Sequence, residues 1–175
     1  ETETAKEETE SSEKTTDTEE ADADTEEAEA GPDEDEAEEE EAVEEIEAAI
    51  EVENDLRSEI VTYALQFVGN RYKYGGTNPN TGVDCSGFTS YVMRHAAEVE
   101  LPHSSGGQSR MGRQVSSSEM RPGDIICYGS GKKINHVALY IGNGQIVHAS
   151  TERTGIKVSR WNYRTPVRIV NVLGD

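Results

Sequence analysis

An α+β fold follows from three observations on these 175 residues. All ten aromatic residues lie between Tyr63 and Tyr163, which confines a packed core to the later two thirds of the chain. Up to about residue 98 the apolar positions recur at three- and four-residue steps, the period of a helix with one buried face. After Pro122 that period shortens to two, the signature of half-buried strands. Helices first and a run of short strands afterwards predict N-terminal helices packed on an antiparallel sheet, preceded by a disordered acidic tail.

The tail comes first. Residues 1–55 hold 28 acidic side chains and only Lys6 and Lys14. Before Val43 the chain uses only Glu, Thr, Ala, Lys, Ser, Asp, Gly and Pro. Ordering a residue costs roughly 1–2 kcal/mol of backbone entropy, and such a segment has almost no apolar surface to offset it. Residues 1–36 are therefore expected to be disordered, with a break at Gly31-Pro32. Over 37–53, Val43, Ile46 and Ile50 fall at helical spacing among many glutamates at i,i+4, which are mildly unfavourable. The segment is either a part-helical solvated spacer or a fragment of a coiled coil. One domain, residues 56–175, follows. Its 8 acidic and 14 basic residues make it mildly basic in a chain whose net charge is −20.

Within that domain Asn54 or Asp55 is placed to cap a helix carrying Ile60, Tyr63, Ala64, Phe67 and Val68, which ends at Gly69-Asn70. A Gly/Asn/Pro-rich loop from Gly75 to Asp84 leads to a second helix, CSGFTSYVMRHAAE, with Phe88, Tyr91, Val92 and Ala96 as its buried stripe. Polar Ser/Gly segments fill Pro102 to Ser118. GDIICY, HVALYIG, QIVHAS, IKVSRW and PVRIVNVL are then the strands.

Composition narrows the function. No run of about 18 apolar residues is present to span a bilayer, and residues 1–30 lack the basic start and apolar run of a signal peptide. The chain opens at Glu1 rather than Met, as a processed or truncated product does, so that lack says little about compartment. No Lys/Arg stripe with interleaved aromatics suggests a nucleic-acid partner. Two cysteines leave a disulfide or two free thiols open.

Cys85, in Asp-Cys-Ser-Gly at a loop-to-helix junction, is the candidate nucleophile. The partial positive charge of a helix N-terminus favours a thiolate there. The first helical N–H groups, at Ser86 or Gly87, lack intrahelical partners and are free to receive an oxyanion. Cys127, in an apolar strand, is read as packing. His136 and His148 flank a hairpin whose turn is Gly142-Asn143-Gly144, and a catalytic cysteine needs a base and a third group that orients it. Strand parity makes a demand here. A three-residue loop centred on Asn143 puts both imidazoles on one face, whereas a plain two-residue Asn143-Gly144 turn puts them on opposite faces unless a bulge intervenes. A zinc site of Cys85, His136 and His148 is the rival chemistry, but the spacings match no close metal-binding pattern. His95 and His103 are read as structural or surface residues.

RYKYGG (Arg71 to Gly76), GVDCSGF (Gly82 to Phe88), LPHSSGGQ (Leu101 to Gln108), RPGDII (Arg121 to Ile126) and INHVALYIGNGQIVHAS (Ile134 to Ser150) occur in that order. Together they make the chain resemble the NlpC-type cell-wall endopeptidases, a branch of the papain-like cysteine peptidases, over nearly all of residues 57–172. The resemblance implies Cys85 as nucleophile, His136 as general base and His148 as the group that orients it. Tyr72 falls near the oxyanion site, and Asp84 and Ser86 fall where relatives contact the stem peptide. The implied activity is hydrolysis of peptidoglycan stem peptides, typically between D-glutamate and a diamino acid, without metal or cofactor. A secreted or wall-associated bacterial monomer, tethered to an upstream wall-binding or coiled-coil module, is the expected setting. A non-catalytic wall-binding module, or an amidase or acyltransferase on the same scaffold, remains the alternative.

Overall fold

A computed structural model describes residues 34–175 of the chain. The disorder expected for residues 1–33 concerns a segment outside these. Helix α1 runs from Glu34 to Leu65 without a break. No glycine or proline interrupts that stretch. The expected cap at Asn54 or Asp55 therefore lies inside a helix, and so do residues 34–36, expected to be disordered: a capping residue ends a helix only where the preceding chain leaves it. Leu56 and Ile60 pack α1 on the core. Arg57, almost wholly buried, joins it to Asp124 at 3.2 Å and to the Asp175 carboxylate. The helix also ends earlier than expected. Phe67 is buried in the turn beyond it, whereas Val68 is exposed and Gly69 takes φ +94°.

Two short strands, β1 (Thr77–Asn78) and β2 (Gly82–Val83), form a small antiparallel ladder ahead of helix α2 (Cys85–Ala97). The polar segment after it holds a one-turn helix, α3 (Ser105–Gln108), and strand β3 (Arg113–Gln114), neither marked by apolar periodicity. Strands β4 (Ile125–Ser130), β5 (Lys133–Gly142), β6 (Gln145–Thr151), β7 (Gly155–Arg160) and β8 (Pro166–Asn171) follow. With β3 they make one antiparallel sheet in the order β3-β8-β4-β5-β6-β7.

The sheet is apolar on both faces. Ile125, Cys127, Val137, Leu139, Val147 and Ala149 meet Ile60 and Phe67 from the α1 side and Phe88, Val92 and Met93 from α2. On the opposite face Ile126, Tyr128, Ala138, Tyr140 and Ile146 form a second cluster, covered by Met120 and Trp161. Two-sided burial explains why these strands are nearly continuous apolar runs. Among the described residues no helix is long and apolar enough to cross a membrane.

Candidate active site

Cys85 is the first residue of α2, and Asp84 is its cap. Asp84 has extended backbone (φ −92°, ψ −179°), and its Oδ1 accepts the Gly87 N–H at 2.8 Å. Oδ2 accepts the Gly75 N–H at 3.0 Å, and His103 Nε2–H donates to Oδ1 at 2.8 Å. The Ser86 hydroxyl lies 3.4 Å from the same oxygen. One carboxylate thus ties the helix start to the Gly75 loop and to the segment before α3. A Cβ on Gly87 would stand 2.2 Å from the Gly76 carbonyl oxygen, so the lack of a side chain there serves backbone packing. Since its N–H is held by Asp84, Gly87 is not a free oxyanion donor, contrary to the sequence expectation.

The Cys85 thiol is half-buried, and both cysteines are free. Its surroundings also correct an expectation. Burial, with Asp84 adding its charge, pushes the thiol up from its ordinary value, although N–H groups of Val137, Ser86 and Cys85 itself point at the sulfur and oppose that shift. A helix N-terminus does less for this sulfur than desolvation takes away. Cys127, sealed in the core, is pushed up to about 12.

Val137 brings β5 to the sulfur, and His136 precedes it. Strands β5 and β6 pair from Leu139↔Val147 to the turn; ahead of Leu139 no β6 partner is present among the described residues, and the Val137 N–H is directed to Sγ. The turn has two residues, Asn143 (φ +52°) and Gly144 (φ +70°), between Gly142 and Gln145. A register shift between Tyr140 and Gly142 leaves Ile141 as an extra residue. That bulge puts His136 and His148 on one face. Their rings meet with His136 Nε2 2.7 Å from His148 Nδ1. His148 Nε2 in turn lies 3.0 Å from the Ser159 hydroxyl.

Burial lowers both imidazoles, His136 to about 4, with Arg164 contributing, and His148 to about 3, with His136 and Lys157 contributing. Both are therefore neutral near neutral pH. With each nitrogen of His148 engaged by a side chain, the zinc alternative loses a ligand.

Tyr72 is half-buried beside Val83, and after burial the charges of Cys85 and Asp84 hold its phenol above the ordinary range. Four neighbours escaped sequence reasoning. Ser159 shares a face with His148, because Ile146 pairs with Ser159 and His148 with Lys157; the alternation of IKVSRW carries that signal. Gln108 is fully buried and bonds Thr89 Oγ1, the Ser86 carbonyl and Ser90 Oγ at 2.6, 2.9 and 2.9 Å, which fixes the first turn of α2. Its signal, like that of His103, is membership of LPHSSGGQ. No local pattern marks the fourth, Arg164.

A cysteine heading a helix, packed on an antiparallel sheet that carries paired histidines, defines the papain-like class of α+β cysteine peptidase folds. The chain belongs to the NlpC/P60 family, whose model matches residues 69–169. It is 41% identical over 108 residues to the murein DD-endopeptidase MepS/murein LD-carboxypeptidase of Escherichia coli (strain K12), covering 62% of this chain and 56% of that protein. Over 98 residues it is 42% identical to the probable endopeptidase p60 of Listeria seeligeri, covering 56% of this chain and 18% of that protein. The chain thus spans about half the length of the first of these relatives and less than a fifth of the second. The crystal structure of the NlpC/p60 domain of the peptidoglycan hydrolase SagA superposes with a TM-score of 0.61 at 32% identity, covering 66% of this chain and 97% of that one.

Proposed function

We propose that this domain hydrolyses peptide bonds in bacterial peptidoglycan stem peptides, outside the membrane, through Cys85, His136 and His148. One observation carries the reading: the strand that supplies the Val137 N–H to the Cys85 sulfur also carries an imidazole held by a second imidazole at 2.7 Å. In this mechanism His136 Nδ1 takes the thiol proton, so its own proton resides on Nε2 and is donated to His148 Nδ1. His148 then carries its proton on Nε2, towards Ser159 Oγ. The chain of bonds fixes tautomer and ring plane together. As the proton leaves, Cys85 Sγ attacks the scissile carbonyl carbon; the Ser86 N–H, which faces Sγ at rest, and the Tyr72 hydroxyl receive the oxyanion that forms beside it. Collapse forms a thioester and expels the amine, which takes its proton from His136. Water, deprotonated by the same imidazole, hydrolyses the thioester. Asp84 and Ser86 border the stem peptide at the helix mouth.

The family resemblance favours a scissile bond between D-glutamate and the diamino acid. A second reading, cleavage of a D,D cross-link, is favoured by the name of the Escherichia coli relative. Mass spectrometry of a peptidoglycan digest separates them, because each product mass identifies the bond broken. Cys85→Ala is expected to abolish product while leaving the thermal unfolding curve nearly unchanged. A normally folded Cys85→Ala that still cuts would overturn the assignment of the nucleophile.

A further inference from the structure

Arg164 lies in the loop between β7 and β8, at the edge of the site. Its guanidinium stands over the Tyr128 ring, 5.7 Å from the centroid, and donates from Nη2 to Asn135 Oδ1 at 3.0 Å. Tyr128 in turn is 6.0 Å, ring to ring, from His136, and Asn135 is the residue before that histidine. The arginine charge is felt at His136, where it adds to the effect of burial. Among the described residues Arg164 has no carboxylate partner; the ion pairs of this domain are formed by Arg57, Arg94, His103 and Arg121. A half-buried guanidinium held by a neutral amide and an aromatic face keeps its preference for a planar anion.

The side of the cleft follows from the chemistry. The imidazole that accepts the thiol proton returns it to the leaving amine, so groups around His136 border the amine side of the scissile bond. In both candidate bonds, that amine belongs to the diamino acid. We propose that Arg164 is a specificity residue that binds a free carboxylate of the amine-side diamino acid, selecting a dicarboxylic diamino acid over lysine or an amidated residue. This inference rests on the proposed stem-peptide hydrolysis and goes beyond it in naming the group recognised.

The test compares kcat/KM on matched muropeptides carrying meso-diaminopimelate with its carboxylate free, the same residue amidated, and lysine in its place. The wild-type protein should prefer the free carboxylate by about 10-fold or more, the range of a hydrogen bond to a charged group. In Arg164→Met the ratio between substrates should collapse towards one, and Arg164→Lys should keep part of it. Wild-type protein that cuts all three equally would overturn the role of Arg164 while leaving the hydrolase reading intact. Persistence of the full preference in Arg164→Met would do the same. Should Arg164→Met fail to fold, the wild-type ratio and Arg164→Lys still decide. A wild-type protein that cuts none of the three removes the hydrolase reading, and this assignment with it.

Discussion

At Cys85 two influences oppose each other: N–H groups at a helix mouth stabilise a thiolate, and burial beside the Asp84 carboxylate penalises it. Burial prevails, and it acts on His136 as well, since an imidazole held at about 4 gives up its charge readily. The two groups thus rest as neutral thiol and neutral imidazole, and in the proposed mechanism the proton moves when a substrate carbonyl arrives. A consequence is measurable without substrate. Iodoacetamide should modify Cys85 slowly near neutral pH and faster as pH rises through and beyond the ordinary thiol range. Cys127, sealed and pushed up to about 12, should stay unmodified in the folded protein, which peptide mapping can follow. Rapid alkylation of Cys85 in mild acid would mean that the pair is already ionised at rest, with proton transfer preceding the arrival of substrate.

One scale up, Gly87 shows how an element aims a residue. Helix propensity alone favours alanine over glycine by about 1 kcal/mol. The Gly76 carbonyl oxygen, 2.2 Å from the position of an added Cβ, argues the other way, because backbone cannot swing aside as a flexible side chain does. Gly87→Ala is therefore expected to destabilise, by about 1–3 kcal/mol as overpacking usually does, and to reduce cleavage by displacing the first turn of α2. A rise in thermal midpoint with full activity would show that the contact relaxes freely. The five strands and the start of α2 were legible in the sequence because alternation and an Asp-Cys-Ser-Gly junction are local signals. The ends of α1 were not: Asn54 and Asp55 are good caps in isolation, yet the helix passes through them and its next turns are anchored by Leu56, Ile60 and the buried Arg57. The hairpin lies between these cases. Asn143-Gly144 announced a two-residue turn, and local sequence allowed either parity, but only the register shift at Ile141 places His148 beside His136. Gln108 and Ser159 act through side-chain bonds across 18 to 22 and 11 residues, a separation no local period encodes.

For the molecule as a whole, two neutral imidazoles buried side by side make folding depend on pH. Unfolded histidine titrates near its ordinary value of 6.5, whereas the folded chain holds His136 at about 4 and His148 at about 3. Between those values the unfolded chain binds protons that the folded one refuses, so stability falls as pH falls. Their contribution is fully present above pH 6.5 and is lost on the way down to the folded values, at about 1.4 kcal/mol per pH unit for each histidine. Two carboxylates modify the acid end. Asp175, held low by Arg57 and Asn171 at about 2, withdraws its own contribution only below the ordinary carboxylate range. Asp124, raised by burial despite its contact with Arg57, acts in the opposite direction. The wild-type curve alone therefore mixes several groups, and the comparison with a variant isolates the histidines. Thermal midpoints of the wild-type protein should decline steadily as pH falls from 6.5 towards 4, whereas the double variant His136→Gln/His148→Gln should give a markedly flatter curve over the same interval, whatever its midpoint at neutral pH. Parallel curves would mean that the pair takes up protons in the folded state as easily as in the unfolded one, and a site that keeps its proposed general base neutral by burial would no longer describe this fold.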